Sequence, residues 1–208
     1  MKFAVRLATL SAVALALAAT FASAAPRTLS FDKSHSEVGF SIRHFFSKVN
    51  GRFQRYDGSI VFDEQNLAAS SVNVAIADSS IDTQNERRDN HLRSADFFEV
   101  DKYPDITFKS TKVVAGKDKT HFKVLGDLTM HGVTKPTTLD VEYLGMAAIA
   151  MGGSNMGTRA GFAATTTISR KDFGIVWNKT LDNGSVMLGD DVTITLNVEA
   201  VERQPQAN

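Results

Sequence analysis

Apolar and polar residues alternate with period two through most of this chain, a rhythm that half-buried strands produce and helices do not. Between Ser36 and His44, Val38, Phe40 and Ile42 share one face, while Glu37, Ser41 and Arg43 share the other. Between His121 and Met130, Phe122, Val124, Leu128 and Met130 oppose Lys123, Asp127 and Thr129. Leu139, Val141 and Tyr143 oppose Asp140 and Glu142. Ala160, Phe162, Ala164 and Ile168 form one face of 159–169. Val192, Ile194, Leu196 and Val198 repeat the pattern near the end. Weaker versions run over 58–63, 71–77 and 105–110, and a short first strand fits 27–32.

Turn-forming pairs separate these segments, among them Asn50-Gly51, Asp57-Gly58, His131-Gly132 and Gly189-Asp190. Many antiparallel strands with short turns predict a sandwich or a barrel. The face opposite the apolar one carries Glu37, Arg43, Asp63, Lys109, Lys123, Asp127, Asp140, Glu142, Arg159 and Glu199. Charges in that number cannot crowd unpaired into a small lumen, nor face lipid. The reading is an all-β, soluble, antiparallel eight-stranded barrel with its apolar face inward. One segment breaks the rhythm: Asp82–Phe98 reads as a helix, with Thr83 and Glu86 as its capping box, placed to cap the barrel mouth.

The first residues read as an address. Lys2 and Arg6 precede an apolar stretch from Leu7 to Ala19, and Ala22-Ser23-Ala24 supplies small residues at a cleavage position. The expectation is a signal peptide over 1–24 cleaved after Ala24, a barrel domain over 25–203 and a flexible tail over 204–208. Export to the periplasm follows from the same reading. Cysteine is absent, so thiolate metal sites, thiol nucleophiles and disulfides are excluded. Lys+Arg and Asp+Glu each total 23, which gives no excess charge for phosphate backbones and argues against a nucleic-acid partner.

The inward face is rich in phenylalanine, and 12 of the 14 lie beyond the leader. Barrels of about eight strands either fill with side chains or hold one small ligand. Gly58, Ala160, Ala164, Thr166 and Met130 are small or flexible and leave room beside the rings. The pattern alone leaves a solid core and a hollow one both open. A hollow one favours an apolar guest, since each buried methylene is worth roughly 0.8 kcal/mol.

The order of short motifs adds to this. Asp32-x-x-His35-Ser36-x-Val38-x-Phe40-x-Ile42-x-His44 opens the series. Gly51-x-Phe53, Gly58-x-Ile60-x-Phe62-Asp63, Arg88-Asp89-x-His91-Leu92 and Phe97-Phe98 follow. Tyr103-Pro104-x-Ile106-x-Phe108-x-Ser110, Gly126-x-Leu128-Thr129-x-x-Gly132-Val133-Thr134-Lys135 and Arg170-x-Asp172-Phe173-Gly174 complete it. Together they resemble the YceI-like family of exported, lipocalin-like, polyisoprenoid-binding bacterial proteins. The resemblance implies an apolar channel for a long-chain isoprenoid, such as a prenyl quinone or a polyprenyl pyrophosphate. The functional reading taken from all of this is a periplasmic, non-enzymatic carrier or reservoir for such a lipid.

Channel contacts are expected from Val38, Phe40, Ile42, Phe53, Ile60, Phe62, Phe108, Phe122, Leu128, Phe162 and Val192, with Leu92, Phe97 and Phe98 closing the mouth. His44, Arg88, His91, Arg93 and Tyr103 are the head-group candidates, because Arg forks onto phosphate and His or Tyr donates to a carbonyl. The five histidines show no HExxH spacing, so neither a metal nor a cofactor is expected. Asp172-Phe173-Gly174 lacks the other kinase motifs and reads as a turn, no G-x-S-x-G elbow exists, and the Met-rich stretch around Gly152-Gly153 reads as a flexible loop. Stable membrane insertion is not expected, and a homodimer is left open. The rival readings are an enzyme acting on a lipid head group, with His44 or His91 as base, and a stress-response protein with a structural lipid.

Overall fold

The structure, a computed structural model, describes residues 25–182, 184 and 186–202. The expected leader over 1–24 and tail over 204–208 lie outside the described residues. Eleven strands form one sheet, with every pairing between them antiparallel. They are β1 (Arg27–Phe31), β2 (Glu37–His44), β3 (Ser47–Phe53), β4 (Tyr56–Phe62), β5 (Ser71–Ala77), β6 (Ile81–Asp82), β7 (Asp105–Ala115), β8 (His121–Met130), β9 (Val133–Met151), β10 (Ser154–Ser169) and β11 (Leu188–Glu202). The helix α1 (Glu86–Arg93) lies between β6 and β7.

Eight of the strands close a ring, in the order β1, β4, β5, β7, β8, β9, β10, β11 and back to β1. Closure removes the exposed edges that an open sheet would leave. The long β11 makes it possible. Its end pairs with β1 through Leu29↔Glu202 to Phe31↔Ala200, and its beginning pairs with β2 through Leu188↔His44 to Asn197↔Glu37. The β2–β3 hairpin, extended by β6, therefore stands at one end of the ring, beside α1.

Between β1 and β2 the chain breaks at Asp32. Its carboxylate accepts from the Ser34 amide (3.0 Å), His35 Nδ1 (3.1 Å) and Arg159 Nη1 (2.6 Å). Arg159 also pairs with Glu199 on β11. These bonds, Arg159 foremost, hold the Asp32 pKa down to about 2. Asp32, His35 and Glu199 bring their ligand atoms within 4.8 Å of one another, but the guanidinium already satisfies both carboxylates.

The alternation sets the interior. Along β8, Phe122, Val124, Leu128 and Met130 are buried while Lys123 and Asp127 are exposed. The charged set faces outward with one correction. Asp63 is buried, because its Oδ1 accepts from the Gln65 and Asn66 amides (2.9 Å each) and ties the turn after β4. Gly58 lies where β4 crosses close to β5, and a Cβ there would stand 2.2 Å from the Asn73 carbonyl oxygen.

Two further expectations are corrected. The helix is shorter than Asp82–Phe98, and Asn85 is its cap, accepting from the Arg88 amide at 3.0 Å. Thr83 is not a capping residue, because its amide and hydroxyl both donate to buried Asp89. The stretch around Gly152-Gly153 is a β-ribbon rather than a loop. Beyond the ring, β9 and β10 continue as a hairpin whose two central glycines both have positive φ (59° and 82°), the geometry of a tight hairpin turn.

Asp78, in a short 3₁₀ turn before β6, is completely buried, and neither carboxylate oxygen makes a hydrogen bond of good geometry. Burial, and then the charge of Asp105, push its pKa up to about 7. The native state keeps the proton that the unfolded chain releases above about pH 4. Stability therefore falls as pH rises from about 4 to about 7 and stays lower above that range. Asp78→Asn should abolish this fall, gaining up to about 4 kcal/mol on the wild type across that window. Urea unfolding of both proteins at pH 4 and pH 8 checks this, and parallel pH profiles would contradict it.

Candidate functional site

The barrel encloses a cavity of about 830 Å³. That falls within the roughly 300–1,000 Å³ of small-molecule sites. Its lining is overwhelmingly aliphatic and aromatic, because parity along each strand sends the apolar face inward.

Aromatic rings gather at the two ends. At the ribbon end, the Phe62 ring lies 4.9 Å from Tyr143, 5.2 Å from Phe162 and 6.5 Å from Phe122, centroid to centroid. The Tyr143 hydroxyl donates outward to Glu64 (3.2 Å); burial and that carboxylate raise its pKa to about 12, so it stays a neutral donor. At the helix end, Phe53 packs edge-on against Phe98 (6.0 Å) and tilted against Phe40 (5.7 Å). Phe40 also lies over Gly51, where a Cβ would come within 2.4 Å of the ring. Phe97 packs against Trp177 at 5.2 Å.

Smaller groups make up much of the remaining wall. Val72, Val74, Ala164 and Thr166 line it, with Ile42, Ile60, Leu128 and Val192. Three further rings line the cavity: Phe108, and Phe31 packed edge-on against Tyr56 at 6.1 Å. All fourteen apolar positions expected to face the channel line it, including Val38 on β2 and Leu92 on α1.

The polar candidates divide. His44, Arg88 and His91 line the cavity at the helix end. Arg88 Nε and Nη2 donate to the Thr83 hydroxyl (2.7 Å) and carbonyl (2.8 Å), which fixes the guanidinium at the rim. His91 Nε2 bonds Asp96 (2.8 Å) and its ring meets Trp177 edge-on at 4.9 Å. Arg93 and Tyr103 do not line the cavity. Arg93 spends its donors on the Ser79 and Ile81 carbonyls and on Asn90, so it ties α1 to the sheet. Tyr103 packs against His131 (4.8 Å) and under the Lys102 ammonium, outside the ring.

Sequence reasoning missed four residues of the rim. Asn85 and Arg87 flank the start of α1, Trp177 lies in the long turn before β11, and Arg170 holds that turn in place. Arg170 is buried at 3% exposure. It donates to the carbonyls of Gly189 (2.9 Å), Ile175 (2.8 Å) and Trp177 (2.8 Å), and to Asp190 (3.2 Å). Burial lowers its pKa, and Asp190 works against that shift. The chain's lone Trp, seven residues after Arg170 in a long turn, was the available signal.

Comparison with known proteins agrees with this geometry. The YceI-like domain model matches residues 29–200. The chain belongs to the YceI-like family. A UPF0312 protein of Vibrio cholerae is 42% identical over 171 residues, covering 80% of this chain and 88% of its own. The solved structure of the Campylobacter jejuni YceI protein superposes with a TM-score of 0.66 at 36% identity, covering 83% of this chain and 96% of that one. A polyisoprenoid binding domain from Saccharophagus degradans shares the fold, with a TM-score of 0.58 at 16% identity over 84% of this chain and 98% of that one.

What such a site does chemically is desolvation. A lining with few polar atoms offers no water a full set of partners. Ten buried methylenes would gain about 8 kcal/mol before association costs. The rim depends on Arg170. Arg170→Met should cost about 3 kcal/mol of stability, because three loop carbonyls and Asp190 lose their donor. Urea unfolding measures the loss, and Trp177 emission should shift to the red as the turn loosens. Unchanged stability and emission would show that the turn stands without it.

Proposed function

We propose that this protein is exported to the periplasm and carries or stores a long-chain isoprenoid lipid there, without catalysis. The tail lies in the cavity, and the head group rests at the rim near His44, Arg87, Arg88 and His91. The observation that carries the reading is an apolar cavity of about 830 Å³ left open inside a barrel whose largest rings pack mainly against one another in two clusters. Family membership and the polyisoprenoid binding domain that shares the fold support the choice of an isoprenoid. The apolar leader supports export. A prenyl chain does not dissolve in an aqueous compartment, so a water-soluble container has a physical task there.

The chain has a single tryptophan, Trp177, and it stands at the rim. Titration with geranylgeraniol should change its emission saturably. Ala164→Phe, which adds a ring to the cavity wall, should weaken that uptake about tenfold or more while leaving the thermal midpoint in place. Equal uptake by both proteins, or none by the wild type, would contradict the reading. Incubation with a prenyl pyrophosphate should release no phosphate. Release that disappears in His91→Ala would favour the enzymatic alternative.

A further inference from the structure

The β2–β3 hairpin ends in an aromatic tip, Phe45-Phe46. Phe46 is 104% exposed, more than an extended reference residue. Phe45 beside it adopts φ +49°, a conformation that aromatic residues rarely take. Its amide donates to the Met187 carbonyl (2.9 Å), so the tip is held by the neighbouring turn rather than left loose. Soluble proteins seldom keep a large ring wholly in water without a use for it.

The hairpin's own charges are of one sign; on the adjoining turn and β11, Asp190 is already paired with Arg170 and Lys171, and Asp182 and Asp191 are exposed. From Val38 to Tyr56 the chain carries Arg43, Lys48, Arg52 and Arg55 and no acidic residue, in a protein whose formal net charge is zero. Arg52 pairs with Asp82, and Arg55 donates to Ser79. Arg43 and Lys48 lie directly opposite each other across the hairpin, and neither forms an ion pair among the described residues. Like charges facing across a strand pair repel, so this arrangement opposes folding unless an anion joins it. Lys179 adds a further exposed cation on the adjoining turn, where its carbonyl accepts from the Met187 amide (2.9 Å).

We propose that this end of the barrel docks reversibly on an anionic lipid bilayer, with Phe46 entering the interface and Arg43 and Lys48 meeting the headgroup phosphates. An aromatic ring flanked by cations is the composition that interfacial anchors use. The docked end is also the one where His44 and Arg87 line the cavity, so a lipid would pass between bilayer and barrel without crossing water. In that respect the inference rests on the carrier reading. The far ribbon also exposes apolar side chains, Leu144 and Met151 among them, but residues 144–158 contain no charged residue at all. Charge therefore selects the hairpin end for an anionic surface.

Sedimentation with vesicles of equal parts phosphatidylglycerol and phosphatidylcholine tests this. The wild type should sediment with them, release as salt rises and ignore pure phosphatidylcholine. Phe46→Ser and the double variant Arg43→Gln/Lys48→Gln should each lower partitioning about tenfold. Met151→Ser on the ribbon should bind as the wild type does. All of these should still take up geranylgeraniol in vesicle-free solution, read from Trp177, which shows that the variants are folded. Failure of the wild type to bind the mixed vesicles, or equal loss from Met151→Ser, would overturn the docking and point instead to a protein partner for the tip. Loss of geranylgeraniol uptake by the wild type would strike the carrier reading alone, leaving vesicle binding to report on docking.

Discussion

Ring closure through β11 is the constraint on which the rest depends. One strand, fifteen residues long, pairs with β10 along one side and with β1 and β2 in succession along the other. That double pairing turns an alternating sheet into a tube, and parity then sends every second side chain inward. An eight-stranded tube has an interior just wide enough to be filled by its own side chains. Whether it is filled depends on where the large residues fall along each strand.

In this protein most of them gather in two clusters. Phe62, Phe122, Tyr143 and Phe162 pack as a floor, and Phe40, Phe53, Phe97, Phe98 and Trp177 form a second cluster below α1. The floor spends its one hydroxyl outward on Glu64, which keeps polarity out of the lumen. The rim is more polar and more composite. It is assembled from a short helix, a hairpin and a long turn, and buried Arg170 is the group that fastens the turn to the barrel. The arrangement is asymmetric: an end packed with buried rings, a basic rim, and an aromatic tip beyond it.

Much of this was legible in the residues. The inward faces of β8 and β11 follow directly from alternation, because parity needs no knowledge of distant contacts. That is why the fourteen apolar positions lie on the cavity wall. What alternation could not show was anything set by loops. Thr83 resembles a cap, but the buried Asp89 claims both its donors, and Asn85 caps instead. Asp63 shares the parity of outward residues and turns in to satisfy two amides. Arg93 looks like a head-group ligand and is consumed by two carbonyls of the chain. Trp177 and Arg170 meet the cavity only because of contacts many residues apart. The ribbon was a missed opportunity, since Gly152-Gly153 is itself a hairpin signature.

The central claim is that the interior is a container for an elongated apolar molecule. Native mass spectrometry of the protein purified from its own cells without detergent tests it most directly. The account predicts a bound mass of the isoprenoid series that survives gentle desolvation and disappears after organic extraction. Protein of bare polypeptide mass, which also acquires no adduct when mixed with prenyl lipids, would contradict it.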